Sequence, residues 1–294
     1  MGVFVSEIRG VITAMATPFH EDGGLDAAGT KRLARHLVEN GSHGLVIAGT
    51  TGEAPTLSDD EKLTLLRTVR EEVGDEVPLI LGTGSNDTLH TVELTKVAAE
   101  AGADAAIVVT PYYNKPNRAG LLAHYGAVSD VGLPIVLYNI PSRTALNIDP
   151  GLLGEIGRLP NIAAVKQAND DELGPIDGLD VLAGNDNVFC RTLEFGGAGG
   201  ILVASHLVGP QMRRMWDAAQ DGDLDSAREI DAELQPVYEA TTVTANPIPV
   251  KAALQMLGVI ESDALRLPMV PADDEQRAAI RPALEQVGIL AAAG

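Results

Sequence analysis

A lysine closes the apolar run Ile162-Ala163-Ala164-Val165-Lys166-Gln167, where a buried strand ordinarily gives way to a turn residue. Two readings fit it. The side chain can snorkel, laying its methylenes on apolar surface and its ammonium in water. Alternatively, burial keeps the amine partly neutral, and a neutral amine condenses with a ketone to form a Schiff base. The neighbours of Lys166 decide between these, and residues of suitable type recur after other apolar runs: Gly49-Thr50-Thr51-Gly52-Glu53, Thr110-Pro111-Tyr112-Tyr113-Asn114-Lys115-Pro116 and Tyr138-Asn139-Ile140-Pro141-Ser142-Arg143-Thr144. Two threonines between glycines offer hydroxyl and backbone N–H donors at close range to a small carboxylate, although the glycines also suit an ordinary tight turn. A phenol at Tyr138 can relay a proton between an amine and a bound ketone, and a buried core tyrosine is the alternative. Arg143, following Pro141 in a rim loop, can grip a carboxylate bidentately or stand solvated.

These residues need a scaffold that brings them together. Apolar, β-branched runs at 10–16, 44–48, 78–81, 105–110, 134–138, 162–166, 181–183 and 200–203 alternate with helical patterns such as 25–39, 58–73 and 88–101. Continuous apolarity predicts parallel strands covered on both faces, and the spacing predicts strand-helix units. Ser58-Asp59-Asp60-Glu61 opens one helix as a capping box, and Gly102 closes another. Eight such units predict an α/β fold, a (β/α)8 TIM barrel over residues 1–222. Helical patterns at 224–238, 249–257 and 274–286 then form a C-terminal helical extension over 223–294. In such a barrel the active site lies at the C-terminal ends of the strands, so the segments above should face one cavity, with Tyr138 beside Lys166 on neighbouring strands. A doubly wound open sheet is disfavoured, because no G-x-G-x-x-G follows the first strand.

Composition narrows the partners. With 21 Lys+Arg against 41 Asp+Glu, the formal net charge is −20, which argues against nucleic acid and anionic membrane. An anion site must therefore be built from local cations and N–H groups. Cys190 is the only cysteine, which excludes an intrachain disulfide and fits a reducing, cytoplasmic setting. Neither a leader in residues 1–11 nor an apolar run long enough to span a membrane is indicated. The six histidines show no metal-ligand spacing, so no metal is expected.

With these segments in order, and with Asn246-Pro247-Ile248-Pro249-Val250-Lys251 and Leu265-Arg266-Leu267-Pro268 beyond them, the sequence resembles the dihydrodipicolinate synthase family of the pyruvate-dependent class I aldolases. The likeness runs from about residue 11 to residue 290. It implies a Schiff base between Lys166 and pyruvate, tautomerisation to an enamine, and attack on the aldehyde of L-aspartate 4-semialdehyde. Cyclisation to 4-hydroxy-tetrahydrodipicolinate, in diaminopimelate and lysine biosynthesis, follows without a cofactor. The same resemblance implies a proton relay of Thr50, Tyr138 and Tyr113, with Tyr113 reaching a neighbouring subunit's site in a homotetramer built as a dimer of dimers. Thr51 matches a ligand of the pyruvate carboxylate, Arg143 a ligand of the semialdehyde carboxylate, and Ile201 a carbonyl near the lysine. Two departures stand out: Gln167 replaces the usual Glu without consequence for the amine, and Ala145 replaces a Gly, which should disturb the loop that aims Arg143. A sister aldolase acting on a sugar acid, such as an N-acetylneuraminate or 2-keto-3-deoxy-sugar-acid lyase, is disfavoured by Arg143 and Thr50. A non-catalytic ligand-binding barrel is disfavoured by the full set with Tyr113, Tyr138 and Lys166. Relatives inhibited by lysine hold it with a serine, a histidine and a glutamate where this chain has Ala54, Lys62 and His90, while Tyr112 and Asn86 still fit. Weak or absent inhibition by lysine is expected.

Overall fold

Strands buried on both faces have no solvent side to carry polar residues, and their uninterrupted apolar runs pair in parallel beneath a layer of helices. In the computed structural model, which describes residues 8–291, these strands are β1 Gly10–Ala14, β2 Gly44–Ile47, β3 Leu79–Gly82, β4 Ala105–Val109, β5 Ile135–Asn139, β6 Ile162–Gln167, β7 Asp180–Ala183 and β8 Gly199–Leu202. Residues 1–7 of the stretch read for a leader lie outside the described residues. The sheet closes in sequence order, β8 pairing with β1 in parallel. Closure brings two backbones close together: a Cβ on Gly199, whose φ is +127°, would stand 2.2 Å from the Gly10 carbonyl oxygen. Only glycine fits there.

The helices begin and end where local chemistry directs. Asp26 accepts the Gly29 N–H at 2.8 Å, so α1 spans Ala27–Glu39 and starts two residues later than its apolar pattern. The expected capping box forms at α2 (Asp59–Val73), with Ser58 and Glu61 exchanging hydrogen bonds. Next, α3 (Thr88–Glu100) stops before Gly102, whose φ is +90°. The barrel's remaining helices are α4 Arg118–Ser129, α5 Pro141–Thr144, α6 Pro150–Ile156, α7 Phe189–Glu194 and α8 Ser205–Gln220. Beyond the barrel come α9 Leu224–Ala240, α10 Ile248–Met256 and α11 Asp274–Gln286, within a residue or two of the expected spans.

Two apolar layers result. The outer one joins strands to helices through residues such as Leu137 and Val165, and the inner one fills the barrel with Ile12, Val46, Ile80, Val136 and Leu182. Because side chains alternate along a strand, Tyr138 and Ala164 belong to the inner layer. Lys166, two residues past Ala164, points the same way.

One buried ion pair fastens the C-terminal helices to the barrel. Lys251 on α10 and Glu53, in the turn after β2, are both fully buried with Nζ 2.8 Å from Oε1. The other Lys251 N–H groups donate to the carbonyls of Thr17 and Ala264, and the second Glu53 oxygen accepts the Arg266 N–H at 3.0 Å. Burial pushes the Lys251 ammonium below its ordinary pKa, and Glu53 opposes that shift. Lys251→Ala or Glu53→Ala should each cost about 3 to 5 kcal/mol, because each strands a buried charge. Urea unfolding at neutral pH should show this, and Lys251→Met with Glu53→Gln should lose less than the sum of the single variants.

Candidate active site

Register brings the first two candidates together. On the β5–β6 pair Tyr138 lies directly beside Lys166, and Lys166 Nζ sits 4.4 Å from the centroid of the Tyr138 ring. Lys166 is 5% exposed, so its amine does not snorkel into bulk water. Thr110 fixes the top of β5, its N–H and hydroxyl both donating to the Tyr138 carbonyl. Lysine and phenol therefore share the C-terminal mouth of the barrel, where the two inner positions are held by a hydrogen-bonded ladder rather than by a flexible loop.

Two cavities of about 630 and 600 Å³ meet at this pair. Thr50, Tyr138, Arg143 and Lys166 line both, while Thr51, Asp186 and Asn246 line only the second. Thr51 is buried, and its hydroxyl oxygen accepts from Asn246 Nδ2 at 3.0 Å. Arg143 is exposed at the rim, where its Nη2 donates to the Asn246 carbonyl at 3.2 Å. It sits on the one-turn helix α5 rather than in a loop. Ala145 ends that turn at φ +53°, ψ +24°, the left-handed conformation that a glycine would adopt more cheaply, and Arg143 still reaches both cavities.

Two expectations about a common cavity need correction. Tyr113 is 90% exposed at φ +72° and lines neither cavity, whereas Tyr112 lines the first. Glu53 is turned away into its pair with Lys251. Ile201, expected only to bring a carbonyl near the lysine, lies on β8 in the inner apolar layer with Tyr138. Gln167 faces away from Lys166 as expected, and its Oε1 accepts from Asn139 Nδ2 at 3.0 Å.

Other residues gain importance only in three dimensions. Asp186 is held against the start of α8, accepting the N–H groups of Val203 and Ala204 at 2.9 and 3.0 Å. Burial pushes its carboxyl up, against the pull of those donors and of Lys166. Its position after β7 was the available signal in sequence. At the outer end of the first cavity, Asp59 bridges Lys62 at 3.2 Å and His90 at 2.7 Å. Burial raises the Asp59 carboxyl, but hydrogen bonds from His90 and Lys62 outweigh it and hold the group below the usual carboxylate range. Among the described residues no cluster of His, Cys, Asp or Glu is arranged to hold a metal ion.

An enclosed amine touching a phenol, hydroxyl donors on one wall and a guanidinium at the rim together suit one chemistry. They can hold a small oxo acid by its carboxylate while the amine condenses with its ketone.

A family model described as the dihydrodipicolinate synthetase family matches residues 7–287. A 4-hydroxy-tetrahydrodipicolinate synthase of Moorella thermoacetica is 43% identical over 289 residues, covering 95% of this chain and 98% of the relative. One from Parasynechococcus marenigrum is 46% identical over 279 residues, covering 92% of both chains. The crystal structure of a dihydrodipicolinate synthase from Thermotoga maritima superposes with a TM-score of 0.93 at 39% identity, covering 97% of this chain and all of that one.

Surroundings set Lys166 apart from the other lysines near the site, Lys62 being paired with Asp59. Lys251 has every N–H engaged, and Lys115 is exposed to water. Treatment with pyruvate and borohydride should label only the peptide carrying Lys166, and Lys166→Ala should take up no label while remaining folded by circular dichroism.

Proposed function

This chain belongs to the dihydrodipicolinate synthetase family, and on that premise we propose how its residues carry out the pyruvate-dependent condensation catalysed by 4-hydroxy-tetrahydrodipicolinate synthases. The observation that carries the reading is the buried Lys166 amine against Tyr138 at the barrel mouth, with Arg143 at the rim. Lys166 Nζ attacks C2 of pyruvate, whose carbonyl oxygen leaves as water to give an imine. Loss of a methyl proton yields the enamine. Its nucleophilic carbon forms a bond to the aldehyde carbon of L-aspartate 4-semialdehyde, and the aldehyde oxygen takes up a proton to become the hydroxyl. The substrate's amine then attacks the imine carbon and expels Lys166, closing the ring. Tyr138 carries protons to and from the reacting oxygen and nitrogen, with Thr50 beside it in both cavities. Thr51 donates to the pyruvate carboxylate, Arg143 pairs with the semialdehyde carboxylate, and the Ile201 carbonyl lies near the lysine.

The exposure of Tyr113 supports its completing a neighbour's relay, in a homotetramer arranged as a dimer of dimers. A lone buried cysteine supports a cytoplasmic setting. No described helix is long and apolar enough to cross a membrane. The deciding experiment is a coupled assay offering pyruvate with aspartate 4-semialdehyde in one arm and sugar-acid substrates in the other. Turnover of the semialdehyde alone is expected, and turnover of only the sugar acids would overturn the reading.

Arg143→Ala should spare trapping of pyruvate on Lys166 while reducing condensation. Losing a charge-assisted, two-bond contact costs about 2 to 4 kcal/mol, or roughly a 30- to 1,000-fold fall in kcat/KM for the semialdehyde. Stopped-flow kinetics with each substrate varied separately checks the split.

Inhibition by lysine should be weak or absent. Lys62 and Asp59 already form an ion pair where an incoming ammonium would need a free carboxylate, and His90 completes the bridge. Lysine titrated into the assay at submillimolar concentration should leave the rate unchanged, and Lys62→Ala with His90→Glu should introduce sensitivity.

A further inference from the structure

Asn246, in the segment between α9 and α10, touches both groups assigned to substrate carboxylates. Its side-chain Nδ2 donates to Thr51 Oγ1 at 3.0 Å, and its backbone carbonyl accepts from Arg143 Nη2 at 3.2 Å. Asn246 and Thr51 line the cavity that also holds Lys166. A threonine hydroxyl has one proton and two lone pairs. When an amide N–H occupies a lone pair, the hydroxyl proton cannot serve that same contact and is free to turn into the cavity. The other end of the amide, Oδ1, is buried without a partner. Reversing the amide would satisfy Oδ1 with the Thr51 proton, and that proton would then be lost to a ligand. An ionised carboxylate in the cavity is the stronger acceptor, so a bound oxo acid favours the orientation in which Asn246 donates.

We propose that Asn246 is a positioning residue that presents Thr51 as a hydrogen-bond donor to the pyruvate carboxylate. The inference rests on the reading of Thr51 as the ligand of that carboxylate. The contact to Arg143 uses the backbone of residue 246, so a side-chain substitution tests the Thr51 contact by itself. Asn246 never touches pyruvate in this scheme. It acts by deciding where one proton points.

Asn246→Asp keeps the shape of the side chain but reverses its role, since a carboxylate accepts the Thr51 proton. In borohydride trapping with pyruvate varied, the half-saturating pyruvate concentration should rise about tenfold, as expected for one charge-assisted hydrogen bond, while the saturated trapping rate stays within about twofold. Thr51→Val should raise it similarly, and the double variant should be no worse than Thr51→Val alone. Asn246→Ala, which removes the donor without adding a charge, should give a smaller rise that also vanishes in the Thr51→Val background. It carries the test should Asn246→Asp fail to fold in a thermal melt. Unchanged pyruvate saturation in both Asn246 variants, with Thr51→Val impaired, would overturn the inference and leave the reading of Thr51 intact. So would an Asn246→Asp effect that persists in full beside Thr51→Val, because charge repulsion would then explain it. Normal pyruvate saturation in Thr51→Val would instead overturn the reading of Thr51, and the inference with it.

Discussion

The pair of Lys251 and Glu53 is the contact on which the shape of the site depends. Withdrawing two charges from water costs several kcal/mol per ion, and the cost is offset only where every donor and acceptor finds a partner. Here each does: three acceptors surround Lys251 Nζ, and the two Glu53 oxygens receive Nζ and the Arg266 N–H. Glu53 also adopts φ +58°, a conformation a non-glycine residue holds only where its surroundings demand it. The pair thereby fixes the end of the Gly49-Thr50-Thr51-Gly52-Glu53 turn. The same C-terminal segment supplies Asn246 to Thr51 and Arg143. The helices beyond the barrel are thus part of the wall of the active site.

Charge is distributed with the same economy. The chain carries a formal −20, which repels anionic substrates at long range, yet Lys166 and Arg143 line both cavities, while Lys62 in the first is paired with Asp59. Local cations and donors set the potential that a bound carboxylate experiences, because interactions across the solvated surface are screened within about 8 Å in physiological salt. Of the three buried lysines near the site, Lys251 is saturated by acceptors, Lys62 pairs with Asp59, and Lys166 faces a ring and a cavity. Burial alone does not make a nucleophile. The difference lies in whether the ammonium's partners are built in.

The barrel itself follows from local patterns. Continuous apolar runs specify buried parallel strands, capping residues such as Ser58 and Gly102 set helix ends, and the neighbour rule for consecutive strands places Tyr138 beside Lys166. These features depend on short segments and a simple topology, so they can be read along the chain. The position of Lys166 was legible for the same reason, since a lysine at the C-terminal end of a barrel strand, on its inner face, points toward the mouth.

What the chain does not reveal is which of the strand-end residues face inward. Glu53 stands among apparent cavity residues, and only the folded chain turns it toward Lys251, 198 positions away. The role of Asn246 depends likewise on a contact spanning 195 positions. Tyr113 and Ala145 both take positive φ, a backbone choice imposed by the closure of their turns that no side-chain preference encodes. Asp59 reads as an ordinary helix-start acid until folding brings His90 within 2.7 Å. Sequence by itself determined the barrel and the adjacency of Lys166 and Tyr138, because periodicity and strand order are local properties. Tertiary structure alone decided the contact between Asn246 and Thr51, the rim arginine's tether and the bridge of Asp59 to His90, because these rest on hydrogen bonds between segments far apart in the chain.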